Sequence, residues 1–211
     1  HVTERMTYTN VNKILTHADE AVTKKYQELV PMFFLMKELS EIVRKNRKKR
    51  GAIDFDFPES KVILDENGKP VDIYEYEHNS ATDLIEDFML LANETVAEEY
   101  YFNEIPFVYR THEEKIESVF SMIRAGKIKV KKAKENVSPK EIQQVLKEIE
   151  GLECEPFFAR LLLRSMKQAK YTTDCIGHFG LAARYYCHFT SPIRRYPDLQ
   201  IHRIIKENLR S

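Results

Sequence analysis

The sequence predicts an α+β fold that is mostly helical and carries a small antiparallel sheet. Three observations lead there. Apolar residues recur at helical spacing in the first quarter of the chain. One short region alternates like strands around an Asn-Gly turn. Helix-start signals built from Ser, Thr and Pro punctuate the remainder. Of the 211 residues, 43% are hydrophobic and 31% charged, the balance of a globular chain rather than a disordered one.

Leu29, Met32, Phe33, Met36, Leu39 and Val43 fall on one helical face. The run from Arg44 to Arg50, RKNRKKR, closes that helix. Cations there meet the negative end of the helix dipole, and Gly51 is a natural stop. Ile53, Phe55 and Phe57 then alternate with Asp54 and Asp56, giving a strand with one apolar and one acidic face. Lys61–Leu64 and Val71–Tyr76 flank Asp65-Glu66-Asn67-Gly68, a hairpin signal, and the three pieces together form the expected sheet. Ser80 and Asp83 make a capping pair before a helix reaching about Phe102. Thr111 and Glu114 repeat it before a helix ending near Gly126. Ser138, Pro139 and Glu141 open another, stopped by Gly151. Pro156 starts one running to about Ala169. The stretch from Tyr171 to Thr190, rich in Gly, aromatic and β-branched residues, reads as loop and strand. Ser191-Pro192 starts the last helix, which runs toward Leu209 with Pro197 near its beginning. No repeat or low-complexity linker interrupts the chain, so one α+β domain is expected.

Lys+Arg and Asp+Glu both number 33, so total charge gives no support to a dedicated nucleic-acid binder. Local charge is uneven. Lys127 to Lys134 holds five lysines, and residues 171–211 carry six basic side chains against three acidic. The three cysteines, Cys154, Cys175 and Cys187, form no CxxC pair, and their odd count argues against a disulfide framework. A reducing, cytoplasmic setting is expected. The longest apolar run, Val30 to Met36, falls far short of the ~20 residues of a membrane span. No signal peptide is visible. Cys175 and His178 lack a second pair at ligand spacing, so no metal is expected there. The chain opens in mid-pattern without Met, and the last helix runs almost to its end; both lead to the expectation of a fragment.

The stretch from Gly177 to Arg203, GHFGLAARYYCHFTSPIRRYPDLQIHR, is the richest in chemistry. Helix N-termini present unpaired N–H groups that suit a phosphate. Arg194 and Arg195 in a first turn oppose the dipole, which suggests an anionic partner, and Arg matches phosphate geometry well. Phe179, Tyr185, Tyr186, Phe189 and Tyr196 surround them. Grooves for single-stranded nucleic acid interleave arginine and aromatic side chains in this way. In the alternative reading the aromatics are core and the arginines pair with Asp198 and Glu207.

IGHFGLA followed by HFTSPIRRYPDLQIHR resembles the signature of the ribonuclease II/ribonuclease R family. RMTYTNVNKIL, RGAIDFDFPE and LIEDFMLLANETVAE agree with the family in order and spacing, so the resemblance covers essentially the whole chain. The family degrades single-stranded RNA processively from the 3′ end, releasing nucleoside 5′-monophosphates by metal-assisted hydrolysis. The resemblance implies that residues 1–211 are the C-terminal part of an RNB catalytic domain. The N-terminal metal-binding part and the flanking cold-shock and S1 domains are expected outside it. It implies that Arg194 is catalytic and that Arg195 and Ser191 bind RNA. It also implies that Phe55 stacks on the 3′-terminal bases, although alternation equally allows Phe55 in the core beside Ile53 and Phe57. Tyr8 and Glu86 match the pair tied to preference for RNA over DNA, through the 2′-OH. Glu86 reads equally as an exposed acid early in a helix.

The family's aspartate cluster for Mg2+ is expected upstream. Asp54/Asp56 and Asp83/Asp87 do not reproduce its spacing, so the chain alone is expected to be inactive. It is also expected to self-associate or to pack against the missing part of the same domain. The competing functions are a non-catalytic single-stranded RNA-binding module and a helical protein-interaction domain with solvated basic runs.

Overall fold

The computed structural model describes residues 2–53, 59–76, 78–113, 138–153 and 155–210. It is mostly helical with two small antiparallel sheets, as the sequence predicts. No helix among the described residues is long and apolar enough to cross a membrane.

Two short helices open the chain, and neither was expected from spacing. Helix α1 (Tyr8–Leu15) is capped by Thr7, which accepts from the Asn10 N–H. Helix α2 (Glu20–Lys25) is capped by Asp19, which accepts from Val22. At eight and six residues they are too short for periodicity to show, and the caps are their only local signal. Helix α3 (Val30–Arg50) ends as expected, at Gly51 with φ 112°. The apolar face read from its sequence divides in two. Leu29, Phe33 and Met36 join a core, whereas Met32 and Leu39 lie exposed with Leu35 and Ile42.

Strands β1 (Glu59–Leu64) and β2 (Pro70–Tyr76) form the expected hairpin, with Val62 opposite Ile73. In its turn Asp65 Oδ1 accepts from the N–H groups of Asn67 (2.8 Å) and Lys69 (2.9 Å), and Gly68 takes φ 78°. Only glycine adopts that conformation without a steric cost. The third expected piece of this sheet, with Asp54, Phe55, Asp56 and Phe57, lies outside the described residues. So do the helix expected from Glu114 to Gly126 and the lysine run 127–134.

Helix α4 (Ser80–Phe102) has the expected span, but its cap lies one residue earlier. Asn79 Oδ1 accepts from Ala81 and Thr82, and Thr82 Oγ1 accepts from the Asn79 N–H. Asp83 pairs with Arg44 instead, at 2.9 Å. Strand β3 (Tyr109–Thr111) pairs with β4 (Lys170–Thr172), so Thr111 belongs to a strand and not to a helix cap. Helix α5 (Pro139–Ile149) carries the full Ser138/Glu141 capping box. Helix α6 (Glu155–Ser165) stops short of Ala169. A 3-10 turn, Phe179–Leu181, precedes the last helix, α7 (Tyr196–Asn208).

Helix α7 starts five residues later than expected. Had it begun at Ser191, Pro197 would sit inside it, without an N–H and with its ring against the carbonyl of Ile193. Starting at Tyr196 places Pro197 in the first turn, where it is tolerated. Ser191–Arg195 is left as a separate turn.

The chain divides into two compact units, residues 1–44 with 56–88, and 45–55 with 89–211. The first has a core of Ile14, Leu15, Phe33 and Leu84. Beside it, Asp87 Oδ2 accepts from Ser40 Oγ (2.7 Å) and from Arg44 (2.8 Å). The second has two clusters. Ile53, Ile142, Val145 and Leu162 form one, and Tyr100, Phe107, Tyr109, Tyr185, Cys187 and Ile201 anchor the other. Each large apolar side chain so buried contributes roughly 1.5–3 kcal/mol before entropy is counted.

Candidate functional site

The chemistry-rich segment lies in the second unit and is held by two buried polar side chains. Asn93, on α4, is 2% exposed. Its Oδ1 accepts from the N–H of Phe189 (2.9 Å) and of Thr190 (3.3 Å), and its Nδ2 donates to the Tyr186 hydroxyl (3.2 Å). Asp198, in the first turn of α7, is fully buried. Its Oδ1 accepts from the Ser191 N–H (2.8 Å) and from Arg195 Nη2 (2.9 Å). His202 adds a third hold: its Nε2 lies 3.0 Å from the Phe189 carbonyl, and its ring stacks on Phe189 with centroids 4.4 Å apart. Between these holds the chain turns at Ser191–Arg195, whose last two N–H groups donate to the Ser191 carbonyl.

This turn separates two adjacent arginines. Arg195 points inward and pairs with Asp198. Arg194 points outward, is exposed, and its guanidinium makes no hydrogen bond or ion pair among the described residues. Ser191 holds the turn through its backbone N–H. Of the three residues expected here, the structure therefore brings Arg194 to the surface and ties Ser191 and Arg195 to Asp198.

A ladder of rings backs the turn. His112 and His178 lie 5.0 Å apart, His178 and Tyr186 5.2 Å, and Tyr186 and His188 5.7 Å, measured between centroids. Tyr171 closes the ladder: its hydroxyl is 2.7 Å from His188 Nδ1, and Arg110 lies 4.6 Å over its ring. Burial lowers the His178 pKa to about 3, helped by His112 and Arg110. Burial lowers that of His188 to about 4, helped by Arg195. Both imidazoles are neutral at neutral pH. Burial pushes the Tyr186 hydroxyl up to about 12 and the Cys175 and Cys187 thiols upward. Neither cysteine is poised as a thiolate nucleophile.

In the first unit, Tyr8 is half-exposed at the start of α1. It lines a mostly apolar cavity of about 690 Å³ with Met6, Val11, Phe33, Met36 and Leu84. Ile85 lines the same cavity, and Glu86 follows it on α4, exposed. Phe55 lies outside the described residues. Among the described residues no three His, Cys, Asp or Glu side chains converge to hold a metal ion, and Asp83 and Asp87 are both engaged by Arg44. These residues do not fit a magnesium site.

The spacing of Asn93, Arg110 and Tyr171 in the sequence marks none of them as functional, and His188 stands there as an isolated histidine with no partner at ligand spacing. An Asn in mid-helix was the one available signal, because Asn there competes with the helix backbone unless it has another task.

An outward arginine thus stands on a turn fastened to buried Asn93 and Asp198 and lies beside a group of neutral rings. The chain matches the RNB domain family over residues 1–211 and belongs to that family. Among its relatives, Ribonuclease R 1 of Lactococcus lactis is 42% identical over 209 residues, 97% of this chain and 26% of the relative's length. Ribonuclease R of Thermotoga maritima is 45% identical over 208 residues, 96% of this chain and 29% of the relative. The chain thus spans about a quarter to a third of the curated relatives it matches. Mycoplasma genitalium RNase R, solved in complex with ribose methylated single-stranded RNA, superposes with a TM-score of 0.82 at 33% identity, covering 95% of this chain and 32% of that one. The same protein in complex with double-stranded RNA gives 0.81, covering 96% and 36%.

Proposed function

We propose that the chain is the C-terminal part of the catalytic domain of a 3′→5′ exoribonuclease that hydrolyses single-stranded RNA to nucleoside 5′-monophosphates. Arg194 is the side chain that meets the scissile phosphate. The observation that carries this reading is the outward, unpaired guanidinium of Arg194 on a turn held by Asn93 and Asp198. The turn fixes where the Arg194 side chain leaves the backbone, and its unpaired guanidinium is available to charge that develops on a phosphate. Losing one such donor typically costs ~2.7–4 kcal/mol of barrier.

Ser191 and Arg195 contribute by holding the turn. Tyr8 and Glu86 are assigned to the ribose, because a phenol and a carboxylate both hydrogen-bond a 2′-OH. The exposure of both side chains supports that assignment. The stacking role of Phe55 rests on its motif alone. A reducing, cytoplasmic setting suits Cys175 and Cys187, which carry free thiols. The exposed Met32, Leu35, Leu39 and Ile42 support self-association of the chain.

Metal-assisted hydrolysis needs several convergent carboxylates. The described residues offer none, so the chain taken alone is assigned grip and orientation rather than cleavage. Labelled single-stranded RNA mixed with the purified chain and magnesium tests this. Binding should weaken as salt rises and weaken further in Arg194→Ala, with no mononucleotide released. Magnesium-dependent mononucleotide release would overturn the division between grip and cleavage. Binding indifferent to salt and to Arg194 would overturn the whole reading and favour a protein-interaction domain.

A further inference from the structure

The surroundings of His188 hold more positive charge than the Arg194 reading uses. Three guanidinium groups, those of Arg195, Arg110 and Arg194, act on its imidazole, and among the described residues the acid that opposes them is Asp198. Asp198 is taken by Arg195. Arg110 and Arg194 are therefore uncompensated: neither makes an ion pair among the described residues. Two unpaired arginines around one neutral imidazole leave positive charge there that favours anions.

Arg110 is also held in place. Its backbone N–H donates to the Tyr186 carbonyl at 2.9 Å, and its guanidinium lies 4.6 Å over the Tyr171 ring. Stacking leaves the N–H groups at the guanidinium edge available to oxygen acceptors. Tyr171 is 40% exposed, so its ring lies within reach of solvent and of a ligand. The Tyr171 hydroxyl lies 2.7 Å from His188 Nδ1; in the tautomer where that hydroxyl donates, the imidazole proton sits on Nε2 and His188 is a neutral donor beside the two cations. Burial, first, and the nearby arginines keep it neutral.

Resting on the exoribonuclease reading, we propose that Arg110, stacked on Tyr171, and His188, oriented by the Tyr171 hydroxyl, form a second phosphate position next to that of Arg194. It takes the neighbouring backbone phosphate of the same single-stranded RNA. Arg110 supplies the charge, His188 supplies a directed hydrogen bond, and Tyr171 is a positioning residue for both.

The test is the affinity of the full 211-residue chain for a labelled single-stranded oligoribonucleotide, measured by anisotropy over a salt series. Arg110→Gln should raise Kd about tenfold, as loss of a hydrogen bond to a charged group does, and should lower the salt slope by about one. Arg110→Lys should keep the wild-type slope with part of the affinity. Tyr171→Phe retains the ring and should weaken binding a few-fold with the slope unchanged. Arg194→Gln reports separately on the parent reading. Should Arg194→Gln weaken binding while Arg110→Gln and Tyr171→Phe do not, the second position falls and the exoribonuclease reading stands. An Arg110→Gln loss equal at all salt concentrations, with the slope intact, would reduce Arg110 to a structural role and also overturn the proposal. If neither arginine variant changes binding, both readings fall. Should Arg110→Gln lower the thermal midpoint, the lysine and phenylalanine variants decide the matter.

Discussion

Asp198 shows how one side chain sorts its neighbours. Arg194 and Arg195 are identical in kind, and the sequence offered both as phosphate ligands or both as partners of acids. The structure divides them: Asp198, three residues after Arg195, takes that arginine and the Ser191 N–H, and Arg194 is left facing solvent. The Arg195–Asp198 pairing was legible as an i, i+3 spacing. The role of Asn93 was not, because its partners Tyr186, Phe189 and Thr190 lie more than ninety positions away. Breaking a buried charge pair by removing one partner costs roughly 3–5 kcal/mol. Asp198→Ala should therefore lower stability by about that amount in urea unfolding and weaken RNA binding as the turn loosens. A variant of wild-type stability would show that Asp198 does not hold the turn.

Elements were legible where their signals are local and lost where they compete. The Ser138-Pro139-x-Glu141 box is complete within four residues, and α5 forms as read. The hairpin around Asn67-Gly68 likewise needs nothing from afar. At α4 two caps were in competition, and Asn79 won over Ser80 because Asp83 is engaged by Arg44, 39 residues earlier. At α7 Pro197 overrode the Ser191-Pro192 start. Strand β3 has three residues and depends on β4 for its pairing, so no local pattern marks it. Helix α5 offers the clean test: Ser138→Ala removes an N-cap that accepts from Glu141 and should cost about 1 kcal/mol. Ser138→Asp should keep most of that stability. Equal thermal midpoints for Ser138→Ala and the native chain would count against the box.

At the scale of the molecule, composition revealed a globular chain but not its two compact units, since no linker-like stretch separates them. Acid sensitivity is a property of the whole fold. His112, His178 and His188 have pKa values depressed chiefly by burial, the latter two to about 3 and about 4. Below the ordinary value near 6.5 the unfolded chain takes up protons that the folded chain refuses, so stability falls as pH drops from about 7 toward 4 and is level above that window. The Glu113 carboxylate, held down to about 2 by Lys167 and Lys170, acts in the same direction at lower pH, from about 4.5 downward. Between pH 7.5 and 5, His178 and His188 should each remove on the order of 1 kcal/mol, discounted for the solvent that reaches both rings. A thermal midpoint that stays flat over that range would contradict the depressed values. The short bridge Ser191–Arg195 has one further consequence. Thr190, just before it, is fastened to Asn93 in the middle of α4, and the bridge's two ends, Ser191 and Arg195, are both fastened to Asp198 in the first turn of α7. The Arg194 backbone therefore has little wandering left to give up, and in the proposed binding the freedom lost at this position is that of the side chain.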